Sequence, residues 1–323
     1  MMWKLCLTSL LTASVAGLRG RGLIDFGGPP HTNATVPQNL VAPQTATLSA
    51  TETQKGTCGA FPGQQVVLVT VDKDFMPFFQ NWLHFAGPYL TSSEQIVAFA
   101  EDGEVVPMLR RFLHEGARTP FKIAIPVNET AWDVSLAAVS DSRDIYKIGV
   151  QDSHPFNSKA YKEVVSRRPR QIRHFLEQNC SVLYADIDTA WLQNPFDAIS
   201  RAGDYEMYVT EDSRPRERRK RKGLNSTYLC SCFLYMHPTS NVKGVLSRWE
   251  VLMQGKPGHN QWRFNTAFQE IRKRSPGFAV ALPYEEFPPG GVPSANPAVL
   301  HANGITGEKS KRSYLQKRGA WSP

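Results

Sequence analysis

No apolar run in this 323-residue chain reaches the roughly 20 residues that a membrane-spanning helix needs, which excludes a polytopic membrane protein. There is no internal repeat. There is also no Cys-x2-Cys pair of the kind that holds structural zinc, because Cys230-Ser231-Cys232 is spaced one residue too closely and has no second pair nearby. A general excess of positive charge is missing as well. The formal net charge is +8, but Arg214–Lys222 alone carries seven basic residues and one Glu and supplies six of those charges. The remainder is near neutral, which argues against a nucleic-acid-binding surface. What is present is 41% hydrophobic, 11% aromatic and 20% charged residues. Such a composition builds a packed core and excludes wholesale disorder or a collagen-like repeat.

The apolar stretch Leu5–Leu18, led by Lys4 and interrupted by Thr8, Ser9, Thr12 and Ser14, has the length and flank of a secretory signal or a short signal anchor. Residues 19–63 are rich in Gly, Pro, Thr, Ala, Ser and Gln without apolar periodicity, so they read as a stem that cannot bury enough surface to fold alone. Asn33, Asn128, Asn179 and Asn225 each begin an N-glycosylation triplet. Cys58, Cys180, Cys230 and Cys232 form an even set that an oxidising lumen could join into two disulfides. These features place the chain in the Golgi or ER lumen, touching a membrane only through its N-terminal segment, or secreted if that segment is cleaved.

Order begins at Val66-Val67-Leu68-Val69-Thr70-Val71, a continuous β-branched run that reads as a strand buried on both faces. Phe75–Phe85 has helical apolar spacing and Gln95–Ala100 reads as a strand; Val105–His114 then reads as a helix and Phe121–Ile125 as a strand. Lys159–Gln178 is a long amphipathic helix interrupted by Pro169, followed by the buried strand Ser181–Ala185. Further segments continue to alternate through Tyr205–Val209, Leu229–Met236, Val242–Met253, Phe264–Arg274 and Phe278–Leu282. Short apolar strands alternating with helices predict an α/β sandwich over residues 64–323 with a mostly parallel central sheet.

The chemistry concentrates in Tyr184-Ala185-Asp186-Ile187-Asp188-Thr189-Ala190-Trp191-Leu192. Two carboxylates leave the carboxyl end of a buried strand, where open α/β sheets place ligands. In extended backbone, positions i and i+2 project to one side, so both acids can approach one ion. Carboxylates select hard cations such as Mn²⁺ or Mg²⁺, which keep positions open for substrate phosphates. Phosphatases of the haloacid dehalogenase type use similar letters, with the first Asp as nucleophile. They place D-x-D-x-T/V near the start of the domain, whereas here the pair lies late and Ala190 follows Thr189.

With these residues in view, Lys159–Phe196, including Arg168-Pro169 and V-L-Y-A-D-I-D-T-A-W-L-Q-N-P-F, resembles the nucleotide-diphospho-sugar transferase family. Its members include plant rhamnogalacturonan xylosyltransferases and extensin arabinosyltransferases. Val66–Leu83 is similar to the family's opening strand and helix. His301-Ala302-Asn303-Gly304-Ile305-Thr306-Gly307, followed by Lys309 or Lys311, Leu315, Gly319 and Trp321, is similar to its closing motif. The resemblance implies a GT-A type, Rossmann-like αβα sandwich that takes a UDP-sugar as donor and a glycan or glycoprotein as acceptor, with retention at the transferred sugar. It gives Asp186, Asp188 and His301 to Mn²⁺. Thr70, Val71 and Asp72 go to the uridine. Arg168, Ile187, Asn303, Gly304, Gly307 and Lys309 complete the binding of nucleotide and diphosphate.

Two departures accompany the likeness. A small-residue N-x-G-like motif common in the family is replaced by Cys230-Ser231-Cys232, and an Asp-Gln pair before the late helix is replaced by Asn260-Gln261. Asn260 and Gln261 are still the candidates for the reacting centre, and Asp212, beside Glu211, is the nearest acid to stand in for the missing carboxylate. The departures leave open a second function, a catalytically weak relative that binds nucleotide-sugar or glycan. The Arg214–Lys222 run reads as a solvated loop or as a surface for an acidic acceptor. The transferred sugar is open among xylose, arabinose and galactose.

Overall fold

A computed structural model describes residues 65–90, 94–101, 104–115, 123–124, 159–213, 228–255 and 260–322. The N-terminal segment, the stem, Cys58, the triplets at Asn33, Asn128 and Asn225, and the basic run all lie outside the described residues. Nine strands are described: β1 (Gln65–Val71), β2 (Glu94–Ala100), β3 (Ile123–Ala124), β4 (Ser181–Ala185), β5 (Thr189–Trp191), β6 (Met207–Glu211), β7 (Leu229–Met236), β8 (Ala279–Ala281) and β9 (Val299–His301). The α-helices are α1 (Met76–Ala86), α2 (Val105–Glu115), α3 (Lys159–Glu177), α4 (Pro195–Arg201), α5 (Ser240–Gly255), α6 (Asn260–Arg272) and α7 (Glu308–Lys317).

Seven strands form one sheet in the order β3-β2-β1-β4-β7-β6-β8. Only β7 runs against its neighbours; β1 is parallel to β2 and β4, and β6 is parallel to β8. The period-2 geometry of β1 explains its unbroken apolar sequence. Val67, Val69 and Val71 join one core layer with Phe78, Phe79 and Trp82 of α1 and Leu109 of α2. Val66 and Leu68 join the opposite layer with Ile172 and Phe175 of α3, Trp249 of α5 and Phe268 of α6. Helices therefore cover both faces, and the expected αβα sandwich with a mostly parallel sheet is what forms. Helix α3 runs through Pro169 without a break. The hydrogen bond that the proline ring removes is set against the burial of Ile172, Phe175 and Leu176 on the sheet.

Sequence periodicity did not reveal a second, two-stranded sheet. Strand β5 leaves the main sheet and pairs antiparallel with β9, with Thr189 opposite His301 and Trp191 opposite Val299. Trp191 anchors this small sheet, packing edge-on to Trp82 at 5.8 Å and to Phe196 at 6.1 Å. The chain then turns at once, because Asn194 caps α4 by accepting a hydrogen bond from the Phe196 N–H at 3.1 Å and Pro195 presets the first helical residue. The motif W-L-Q-N-P-F is thus a folding signal that fixes the segment following the two acids. No helix among the described residues is long and apolar enough to cross a membrane.

Candidate functional site

Strand β4 ends at Ala185, and the chain then folds into a turn over residues 187–188. The two acids therefore do not converge through extended backbone, as the i, i+2 argument expects. The Asp186 N–H donates to the Cys232 carbonyl at 2.8 Å, and the Thr189 hydroxyl donates to the Asp186 carbonyl at 2.7 Å. The Ala302 N–H then donates to the Asp188 carbonyl at 3.0 Å, tying the turn to the residue after β9. This turn directs both carboxylates at His301, whose Nε2 lies 3.1 Å from Asp188 Oδ1 and 3.9 Å from Asp186 Oδ2. One ligand atom from each of Asp186, Asp188 and His301 lies within 4.8 Å of the others.

The two carboxylates are held differently. Asp186 Oδ1 accepts from the Arg168 guanidinium at 2.9 Å and from the Tyr184 hydroxyl at 2.8 Å, so one oxygen is spent on orientation while Oδ2 turns toward His301. Burial raises the Tyr184 hydroxyl well above the usual tyrosine value, so it remains a donor. Asp188 is buried, and its Oδ2 is bridged by the Lys311 ammonium. Burial alone would raise the Asp188 carboxyl, but Lys311 and His301 beside it prevail and hold it well below the usual carboxylate range. Two carboxylates and one imidazole, balanced by an ammonium, suit a hard divalent cation.

Several expected residues gather here and others do not. In the β1–β4 register Leu68 lies opposite Tyr184, so Thr70 reaches the same sheet edge as Asp186. Asp72 closes the following turn by accepting from the Phe75 N–H at 2.8 Å. Arg168 is neither an exposed helical arginine nor free to swing. It also donates to the Ser231 carbonyl at 3.1 Å and lies over the Tyr184 ring at 4.5 Å. The Ile187 side chain packs into the core, leaving only its main chain to meet a ligand. Gly304 and Gly307 have φ of 70° and 86°, conformations that favour glycine. Lys309 is exposed on α7, and it is Lys311, half a turn on, that reaches Asp188.

Asp212 accepts from Gln261 Nε2 at 2.6 Å and, on its other oxygen, from Asn303 Nδ2. Asn260 donates to the Ser231 hydroxyl at 3.3 Å. The three candidates for the reacting centre thus share one wall with the closing motif. A cavity beside His301 is lined by Asn303, Glu211, Cys230, Phe287, Pro288 and Pro289, among others. The residues of Phe287–Gly290 were not singled out from sequence, where P-P-G-G signals only a turn. Gly290 is essential to that wall: a Cβ there would lie 1.8 Å from the Asn303 carbonyl oxygen. Cys230 and Cys232 form a disulfide in the same wall, and Cys180 is also disulfide-bonded. Glu101, at the end of β2, is a further buried acid that the sequence did not mark. Burial outweighs the nearby Arg167 and Arg168 and pushes its carboxyl up to about 7.

The family model for nucleotide-diphospho-sugar transferases matches residues 137–315, more than half of the chain. The chain belongs to this family. Among characterised relatives it is 26% identical to UDP-D-xylose:L-fucose alpha-1,3-D-xylosyltransferase 3 of Arabidopsis thaliana, over 80% of this chain and 66% of that protein. It is 25% identical to UDP-D-xylose:L-fucose alpha-1,3-D-xylosyltransferase 1 of the same plant, over 79% and 70%. The chain thus spans about two thirds of the length of these relatives. Among solved structures it is similar to mouse xyloside xylosyltransferase 1 in its apo form, with 10% identity, a TM-score of 0.46, and coverage of 75% of this chain and 99% of that one.

Proposed function

We propose that this transferase moves a sugar from a UDP-sugar to a hydroxyl of a glycan or glycoprotein, with retention, at the Asp186–Asp188–His301 cluster. The observation that carries this reading is the convergence of two carboxylates from the end of β4 and an imidazole from β9 against the Lys311 ammonium. The donor set fits Mn²⁺ or Mg²⁺. Such an ion, when bound, would neutralise charge developing on the leaving diphosphate. Arg168 and Tyr184 hold Asp186 in the orientation that offers Oδ2. Lys311 is placed to release Asp188 and take up a diphosphate oxygen, while main-chain N–H groups around Gly304 and Gly307 approach the other oxygens. Thr70–Asp72, at the sheet edge, provides the surface for uridine.

Asp212 is held by Gln261 and Asn303 on both oxygens, so its carboxyl is fixed in one orientation and stands in for the carboxylate that Asn260 lacks. Xylose is the favoured sugar, supported by the names of the relatives and by a wall of Phe287, Pro288 and Pro289 that gives a hydroxymethyl group little polar company. The alpha linkage in those names supports retention from an alpha-linked donor. The buried disulfides support a luminal setting, with residues 1–18 as signal or anchor and 19–63 as stem.

The test is release of UDP from a panel of UDP-xylose, UDP-arabinose and UDP-galactose, with and without Mn²⁺, for the full chain and Asp188→Asn. Metal-dependent turnover of one donor that disappears in the variant is expected. Equal turnover by the variant would overturn the site. Ligand-dependent stabilisation without turnover on any acceptor would favour the weak relative, a reading that rests on Asn260 standing where the family has a carboxylate.

A further inference from the structure

The geometry points to a second metal site, one that thiols open: Cys230, Cys232 and His301 together bind a soft divalent ion such as Zn²⁺ once the Cys230–Cys232 disulfide is reduced. One ligand atom from each of these residues lies within 4.8 Å of the others. All three are buried, at 2%, 5% and 8% exposure. A tetrahedral zinc holds sulfur at about 2.3 Å and nitrogen at about 2.0 Å, so its ligands sit on the order of 3.5–4 Å apart. That spacing needs only local adjustment here. Two thiolates and an imidazole are the donor chemistry that selects zinc over manganese, and the fourth position is left for water.

The surrounding structure allows the exchange. The Cys230–Cys232 ring encloses a single residue, so its closure restrains the unfolded chain little. Strand β7 is paired with β4 over Phe233–Met236 and with β6 on either side of a register shift between Cys230 and Leu234, so the strand is held through its main chain and not through the sulfurs. The step balances with an external dithiol or phosphine as reductant. It supplies two electrons, the S–S bond breaks, two protons are taken up as thiols form, and two protons leave when the thiolates bind the ion. His301 is common to this set and to the carboxylate set. Zinc held by the thiolates therefore competes for the imidazole whose Nε2 faces Asp186 and Asp188. The thiolate site stands independently of the transferase reading; only this competition rests on it.

Co²⁺ added to the full chain after reduction with a phosphine reports the site directly, because a thiolate–Co²⁺ bond gives a near-ultraviolet charge-transfer band. We expect one equivalent to bind with that band, no band in the oxidised protein, and loss of the band in the Cys230→Ser/Cys232→Ser variant, which retains the other cysteines. Because the phosphine also opens the Cys180 disulfide, Cys232→Ser prepared without reductant serves as a second probe; it exposes the Cys230 thiol and should give a weaker band. A band that survives in the double variant, or no band in folded protein by either route, overturns the site. Bound Zn²⁺ should also weaken Mn²⁺ binding, read by electron paramagnetic resonance, at least tenfold in the reduced wild type. Unchanged Mn²⁺ affinity would overturn the sharing of His301, whereas failure of oxidised protein to bind Mn²⁺ at all would instead count against the transferase site.

Discussion

Replacing Lys311 by Met keeps the aliphatic stem and removes the cation that faces Asp188. The Asp188 side chain is 7% exposed, and its partner Lys311 is 19% exposed. Removing one member of a buried ion pair costs about 3–5 kcal/mol. Two features reduce that figure here, since water reaches the lysine and His301 remains 3.1 Å from the other carboxylate oxygen. The expected loss without metal is therefore about 2 kcal/mol, or a melting temperature lower by roughly 4–8 °C at about 2–4 °C per kcal/mol for a domain of this size. The sign with pH is fixed by the depressed Asp188 carboxyl. The pair contributes above the unfolded carboxylate value of 3.8, so the gap between wild type and variant should persist down to about pH 4 and close only under stronger acid.

Mn²⁺ at a hundredfold excess over its Kd stabilises a site by about 2.7 kcal/mol. In the variant the ion meets a carboxylate whose Oδ2 carries no ammonium; in the wild type it must first displace the lysine. Thermal denaturation of chelator-treated protein should therefore show a lower starting point for Lys311→Met, a larger gain from Mn²⁺ alone, and a smaller additional gain from UDP. Identical responses to Mn²⁺, or a metal-free variant more stable than wild type, would refute the assignment of Lys311 as the resident counter-charge.

Glu101→Gln should stabilise the protein selectively at high pH. The carboxyl rises from 4.5 to about 7 on folding, a net shift that already contains the opposing attraction of Arg167, so its ionisation costs about 3 kcal/mol above pH 7 and nothing below pH 4.5, and the neutral amide should recover about that much. Urea denaturation at pH 5 and pH 8 checks this, and an equal effect at both would contradict it. Gly290→Ala drives a Cβ into the Asn303 main chain and should destabilise by about 1–3 kcal/mol. It should lower kcat and raise KM for the donor together, because Asn303 holds Asp212 and belongs to the expected nucleotide-binding set. Asn194→Ala removes the α4 cap and should cost about 1 kcal/mol with donor KM unchanged, measured by denaturation alongside steady-state kinetics.

The parts of the fold legible in the sequence are those whose side chains repeat. Val66–Val71 announced a strand buried on both faces because each face meets its own helical layer, and no other element type explains six consecutive apolar or β-branched residues so economically. The carboxylates Asp186 and Asp188 were legible because a buried strand leaves few reasons to place two acids at its end. The β5–β9 sheet was not legible, since three residues are too few to show a period and its partner lies more than a hundred residues away. The role of Lys311 over Lys309 was equally hidden. Both follow the same glycine, and only the direction in which α7 leaves Gly307 decides which one faces Asp188.

The same reasoning explains why Cys230-Ser231-Cys232 read as a departure. Judged by spacing, it is too tight for a zinc knuckle, and judged by family pattern, it replaces small residues. Its meaning comes from what β7 adjoins. The Cys232 carbonyl receives the Asp186 N–H at 2.8 Å, the Ser231 carbonyl receives Arg168 at 3.1 Å, and Asn303 lies 3.7 Å from the Cys230 sulfur. Three consecutive residues of one strand therefore touch the turn that carries the acids, the arginine that orients the first of them, and the asparagine that holds Asp212. Small residues would satisfy the two main-chain contacts but offer Asn303 no sulfur. Two cysteines keep those contacts and add a pair of sulfurs beside His301, so the substitution leaves the scaffold of the site intact while changing what the site can bind.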